Sequence, residues 1–169
     1  AGGAFIKQYA QAGLQGKIPL YSVFTVDSIA LPKLQKANMN GVMGSVMTQF
    51  WAPDLDTPQN KKFVSGFKKK YGRYPSFYAA QSYDTIFLIK SAVEAVKGDL
   101  SNKDGMRAAM EKANFPSVRG KFSYGNNHFP IQNFYSREVV KDSDGVWTTS
   151  VREVVLKNHQ DTYAKDCSM

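Results

Sequence analysis

Two nearly continuous apolar runs, Ile18-Pro19-Leu20-Tyr21-Ser22-Val23-Phe24 and Val42-Met43-Gly44-Ser45-Val46-Met47, constrain this chain more than any other feature. Runs of this length without polar alternation suit strands buried on both faces of a parallel sheet. A helix-like segment precedes each. Phe5, Ile6, Tyr9 and Ala10 recur on one helical face, and Gly13 supplies the stop. Asp27 or Ser28 caps a second helix running through Ala37, with Pro32 in its first turns and Ile29, Leu34 and Ala37 as its apolar positions. Helix, strand, helix, strand is the order of a parallel α/β sheet. In such a sheet a further strand would feed the first helix, so the sequence reads as lacking its N-terminal portion.

The texture changes at Trp51-Ala52-Pro53-Asp54-Leu55-Asp56-Thr57-Pro58, which carries no periodicity and marks a boundary. Beyond it the spacing predicts three helices, over 59–71, 77–97 and 102–113. Ser101 is the expected cap of the third, with Asp104 at its N3 position and Met106, Ala109, Met110 and Ala113 as its apolar stripe. From Gly120 the period shortens to two. Phe134 to Val140 and Val146 to Leu156 flank the turn Lys141-Asp142-Ser143-Asp144-Gly145, which predicts a β-hairpin.

Composition bounds the function classes. With 169 residues, 43% hydrophobic and 21% charged, the chain has enough apolar content for a packed core and no apolar run approaching a bilayer span. The net charge of +8 raises nucleic acid as a partner. The only dense basic run argues against it, because Lys61, Lys62 and Lys68 to Lys70 interleave with Phe63, Val64, Phe67 and Tyr71 and form the solvated face of an amphipathic helix. His128 and His159 stand in no ligand spacing, and Asp54 with Asp56 offers too few oxygens for calcium, so no metal is expected. There is no phosphate-binding loop, dinucleotide fingerprint or nucleophile elbow, so no cofactor and no catalytic residue is assigned. The balance favours binding over catalysis.

The stretch Phe67-Lys68-Lys69-Lys70-Tyr71-Gly72-Arg73-Tyr74-Pro75-Ser76-Phe77-Tyr78-Ala79-Ala80-Gln81-Ser82-Tyr83-Asp84, followed by an apolar helix containing Ala92, resembles type I periplasmic solute-binding proteins of the leucine/isoleucine/valine-binding family. Phe5 to Leu14 with the strand from Ile18, the Gly41 to Trp51 crossover, Gly120-Lys121-Phe122 and the hairpin around Asp144-Gly145 agree in order. Residues 77–84 together with Asn127-His128-Phe129-Pro130-Ile131-Gln132 are most similar to members that bind aromatic carboxylates. The resemblance implies the C-terminal portion of a two-lobed α/β clamshell, with parallel sheets flanked by helices and a C-terminal β-hairpin. Residues 1–49 would belong to lobe 2, 50–135 to lobe 1, and 136–169 would return to lobe 2. It also implies an extracytoplasmic, periplasmic protein that closes its hinge on a small carboxylate, an aromatic acid ahead of a branched-chain amino acid. Its partners would be an ABC permease in the membrane and the missing N-terminal half of the same protein. A sensory or receptor module of the same fold is the alternative.

Ligands of parallel α/β sheets sit beyond the C-terminal strand ends, beside helix N-termini. Two places meet that rule: the loop after the first strand, with Phe24, Thr25 and Val26, and the helix start carrying Ser76, Phe77 and Tyr78. The resemblance puts ligand contacts of the two lobes in these same places. Ala1 and Gly2 open the first helix, whose free amides suit a carboxylate. Tyr83 and Asp84, further along their helix, read as packing and hydrogen-bonding residues. Cys167 is the only cysteine, and an oxidising compartment then predicts a disulfide to a cysteine in the missing segment.

Overall fold

The computed structural model describes residues 2–167. Five helices and five strands are formed: α1 (Gly2–Gln11), β1 (Tyr21–Ser22), α2 (Leu31–Lys36), β2 (Val46–Gln49), α3 (Pro58–Tyr71), α4 (Phe77–Ala95), α5 (Lys103–Lys112), β3 (Ser123–Tyr124), β4 (Pro130–Lys141) and β5 (Trp147–His159). Among the described residues, no helix is long and apolar enough to cross a membrane.

The sheet is mixed. β1 pairs parallel with β2 through Tyr21 opposite Val46 and Ser22 opposite Met47. The hairpin then joins antiparallel, β4 to β2 with Met47 opposite Arg137, and β5 to the far side of β4. β3 caps the start of β4. The hairpin turn closes because the Asp142 carboxylate accepts from the amides of Asp144 and Val146.

Several expectations need correcting. The first apolar run does not make a seven-residue buried strand: only Tyr21–Ser22 pairs, and Tyr21 is 72% exposed. Within the described residues β1 has β2 on one side alone, so it is an edge, and Pro19 has no amide to extend the ladder. In the second run Gly44 adopts φ +74°, a left-handed kink that breaks the extension, and the strand begins at Val46 after a 3₁₀ turn over Asn40–Val42. The α2 helix starts at Leu31, because the Asp27 carboxylate spends itself on the amides of Ile29 and Ala30 in a preceding turn. Ile29 is accordingly exposed. At α5 the cap is Asn102, whose Oδ1 accepts from the Gly105 amide at 2.9 Å, while Ser101 turns back to Asp99.

Two apolar clusters share the sheet. One gathers Trp51, Phe63, Val64, Phe77, Ala80, Val118 and Tyr135 from the loop after β2, α3, α4 and β4. The other gathers Ile6, Val26, Leu31, Leu34, Val42, Met47, Val139 and Trp147 from α1, α2, the loops beside them, β2 and the tip of the hairpin. Each fully buried aliphatic chain here contributes about 2 kcal/mol.

Polar side chains tie the loops to these elements. Asn60, on α3, accepts from Trp51 Nε1 at 2.8 Å, and its Nδ2 lies 3.1–3.2 Å from the carbonyls of Ala52, Pro53 and Leu55. That single buried amide folds the predicted boundary loop back onto the helix. Asp54 accepts from Ser150 Oγ and the Val151 amide, tying the loop to β5. The Tyr74 hydroxyl donates to Asp142 at 2.8 Å, tying the α3–α4 turn to the hairpin tip.

Candidate functional site

The loop after β1 and the N-terminus of α4 meet. The Phe24 and Phe77 rings lie 5.3 Å apart, and Phe77 stacks on Tyr78 at 3.9 Å. Phe24 is 59% exposed and Tyr78 55%, whereas Phe77 is buried between them. Ser76 caps α4 by accepting from the Ala79 amide at 3.3 Å, which fixes where Phe77 and Tyr78 start. Two regions 53 residues apart in the chain thus form one aromatic surface at the C-terminal ends of the parallel pair.

Phe50, which follows β2 as Phe24 follows β1, completes the cluster edge-on to Phe77 at 6.0 Å. Its place at the end of the second apolar run is the sequence signal that marks it, as the end of the first run marks Phe24. The Arg119 guanidinium lies 5.6 Å from the Phe50 ring and 4.0 Å from that of Phe122. It is held by a buried network: Arg119 Nε donates to Asp84 at 2.8 Å, and Nη1 donates to Gln132 at 3.0 Å. Asp84 also accepts from Ser117 Oγ at 2.6 Å and the Val118 amide at 2.9 Å. Asp84 therefore bonds between elements, as its place deep in the helix implied. Its partner Arg119 carried no sequence signal beyond one basic residue in a loop.

The other predicted residues divide. Thr25 is half-buried, and its carbonyl packs so closely on Gly2 that a Cβ at that position would collide with it. Gly2 therefore lets the first turn of α1 lie against the loop after β1. Val26 is fully buried in the second apolar cluster, so its side chain is a core residue and only its backbone could face a ligand. Ala1 lies outside the described residues. His128, exposed, stands 3.5 Å from Glu111 rather than near the aromatic cluster. No group of three potential metal ligands occurs among the described residues.

Electrostatics at the strand ends centre on Arg137. It is 3% exposed, and burial pushes its guanidinium down to about 10 against the pull of Asp27 and Asp54.

A parallel strand pair whose C-terminal ends carry aromatic rings, opposite a capped helix start with rings of its own, is the arrangement in which α/β sheets place small-molecule sites. The chain belongs to the periplasmic binding protein family, whose model matches residues 1–145. It is 31% identical over 150 residues to the Leu/Ile/Val-binding protein homolog 6 of Brucella abortus, a match covering 85% of this chain and 37% of that relative. Among solved structures it is similar to a benzoate-bound ABC-transporter solute-binding protein from R. palustris, with 31% identity and a TM-score of 0.79 over 95% of this chain and 42% of that one. It is also similar to one from Rhodopseudomonas palustris BisB5 bound to 3,4-dihydroxybenzoic acid, with 27% identity, a TM-score of 0.76, and coverage of 93% and 43%. The chain thus spans well under half the length of these relatives. Its architecture is part of a type I periplasmic binding protein, with an open mixed sheet and flanking helices.

Proposed function

We propose that this chain is the C-terminal part of the extracytoplasmic solute-binding component of an ABC importer, and that the intact protein binds an aromatic carboxylate between two lobes without turning it over. The observation that carries this reading is the meeting of Phe24 with Phe77 and Tyr78, which makes a ring-lined surface from two separate regions. Aromatic faces suit an aromatic ligand better than a branched aliphatic one. An amino acid would also need an acid for its ammonium group, and Asp27, the acid in the loop after β1, already caps its own turn. The similarity to benzoate- and dihydroxybenzoate-bound relatives supports the same class.

In this reading residues 1–49 and 136–169 belong to one lobe and 50–135 to the other. The two apolar clusters support that division, since one draws on α1, α2 and the hairpin tip and the other on α3 and α4. The strands running between them are the crossings about which the lobes hinge. The remaining part of the protein would complete both lobes, and a membrane permease would receive the closed form in the periplasm.

Small-angle scattering of the full-length protein tests the mechanism. Addition of benzoate should reduce the radius of gyration, as closure brings the lobes together. Benzoate binding with an unchanged radius would refute hinge closure.

A further inference from the structure

A buried polar band separates the two apolar clusters, and it has one member on each long-range strand. On β2, Gln49 lies between Met47 of one cluster and Trp51 of the other. On β4, Arg137 lies between Val139 and Tyr135, which divide in the same way. On β1, Ser22 precedes Phe24 by two residues, and on β5, Thr149 lies two residues from Trp147. Register puts these side chains on one face: Ser22 and Arg137 both lie opposite Met47, and Gln49 is two residues along from it on the same strand.

The band is short of partners. Four buried side-chain polar atoms have no hydrogen-bond partner among the described residues, and three of them belong to it: Ser22 Oγ, Gln49 Nε2 and Arg137 Nε. Arg137 makes a single long bond, from Nη1 to Thr149 Oγ1 at 3.4 Å, and no ion pair among the described residues. The two acids whose charges act on it, Asp27 and Asp54, are engaged elsewhere. Asp27 accepts from the amides of Ile29 and Ala30, and Asp54 from Ser150 and Val151. Asp27 and Asp54 act on the Arg137 charge only from a distance, and a buried guanidinium with no directly hydrogen-bonded anion is costly. Arginine is suited to meeting an anion because its N–H groups match the two oxygens of a carboxylate.

We propose that Arg137, with the Gln49 amide and the Ser22 hydroxyl, is an anion-binding row that takes the carboxylate of the ligand. The inference rests on the reading that an aromatic acid is bound at the adjoining rings, and it adds the residues that would select an acid over its neutral analogue. Phe24 and Phe50, each a short step beyond Ser22 and Gln49, would hold the ring while the row holds the charge.

The test uses the full-length protein, with the Arg137 Nε–H resonance followed by ¹⁵N NMR and identified by its loss in Arg137→Lys. Benzoate should shift that resonance, and Arg137→Lys and Gln49→Leu should each weaken benzoate at least tenfold while leaving benzamide unchanged. Benzoate binding by calorimetry with an unmoved Arg137 resonance would overturn the row and leave the aromatic-acid reading standing. Should benzoate not bind, formate separates the two ideas. A formate-dependent shift at Arg137 keeps the anion row and removes the aromatic ligand, and no shift with either removes both. Where Arg137→Lys does not fold, through-bond correlation to the Arg137 backbone assigns the resonance, and the wild-type spectrum still decides.

Discussion

Removing the Asp84 carboxylate should be among the most damaging single changes in this fold. Asp84 and Arg119 are both almost fully buried, and their 2.8 Å bond is the only ion pair Arg119 makes among the described residues. Asp84→Leu leaves a buried guanidinium uncompensated, which costs about 3–5 kcal/mol. It also orphans the Val118 amide and Ser117 Oγ, which Asp84 accepts. Adding Arg119→Met removes the stranded charge, so the double variant should retain only the cost of the orphaned groups, about 1–3 kcal/mol for each, Gln132 Oε1 now among them. The second substitution is therefore expected to recover stability lost to the first. Urea unfolding of the wild-type, single and double variants, followed by tryptophan fluorescence, measures this directly. A cost below about 1 kcal/mol for Asp84→Leu, or a double variant no more stable than the single, would refute the assignment of Asp84 as the compensating charge.

Three further outcomes are expected. At Asp142 burial acts to raise the carboxyl, but hydrogen bonds from Tyr74 and from the amides of Val146 and Asp144 outweigh it and hold the group below the ordinary carboxylate range. Stability from a depressed acid is present above its unfolded value and lost as pH falls through the folded one. Tyr74→Phe should therefore raise the Asp142 pKa, read by carboxyl ¹³C NMR, and weaken resistance to acid; an unmoved pKa contradicts this. Gly2→Ala would drive a Cβ into the Thr25 carbonyl, so amide resonances from Phe24 to Ser28 should shift and benzoate affinity should fall; an unchanged spectrum would show that α1 yields instead. In denatured, non-reduced full-length protein, Cys167 should react with thiol reagents only after reduction, and equal reactivity before reduction would exclude its disulfide.

The parts of the fold legible in sequence are those where many residues repeat one pattern. The α3 and α4 helices and the hairpin are long, and Thr57, Ser76 and Asp142 supply local signals that the structure uses as caps and a turn. Short elements are less legible because tertiary pairing decides them. Ile18 to Phe24 has the composition of a buried strand, yet among the described residues it has one neighbour and no second ladder to bury it. Phe24, Phe77 and Tyr78 could be singled out because strand ends and helix starts are visible in a sequence. Arg119 could not, since its meaning comes from Asp84, 35 residues earlier. Ser22, Gln49 and Arg137 are still less visible: they share a face only through the register of three strands, one of which returns after three helices.

The central claim is that the intact protein binds an aromatic monocarboxylate at these rings, and competitive calorimetry tests it most directly. Titration of full-length protein with benzoate, 4-hydroxybenzoate and leucine should give saturable heats for the two aromatic acids and none for leucine. Tight leucine binding with no response to either aromatic acid would contradict it.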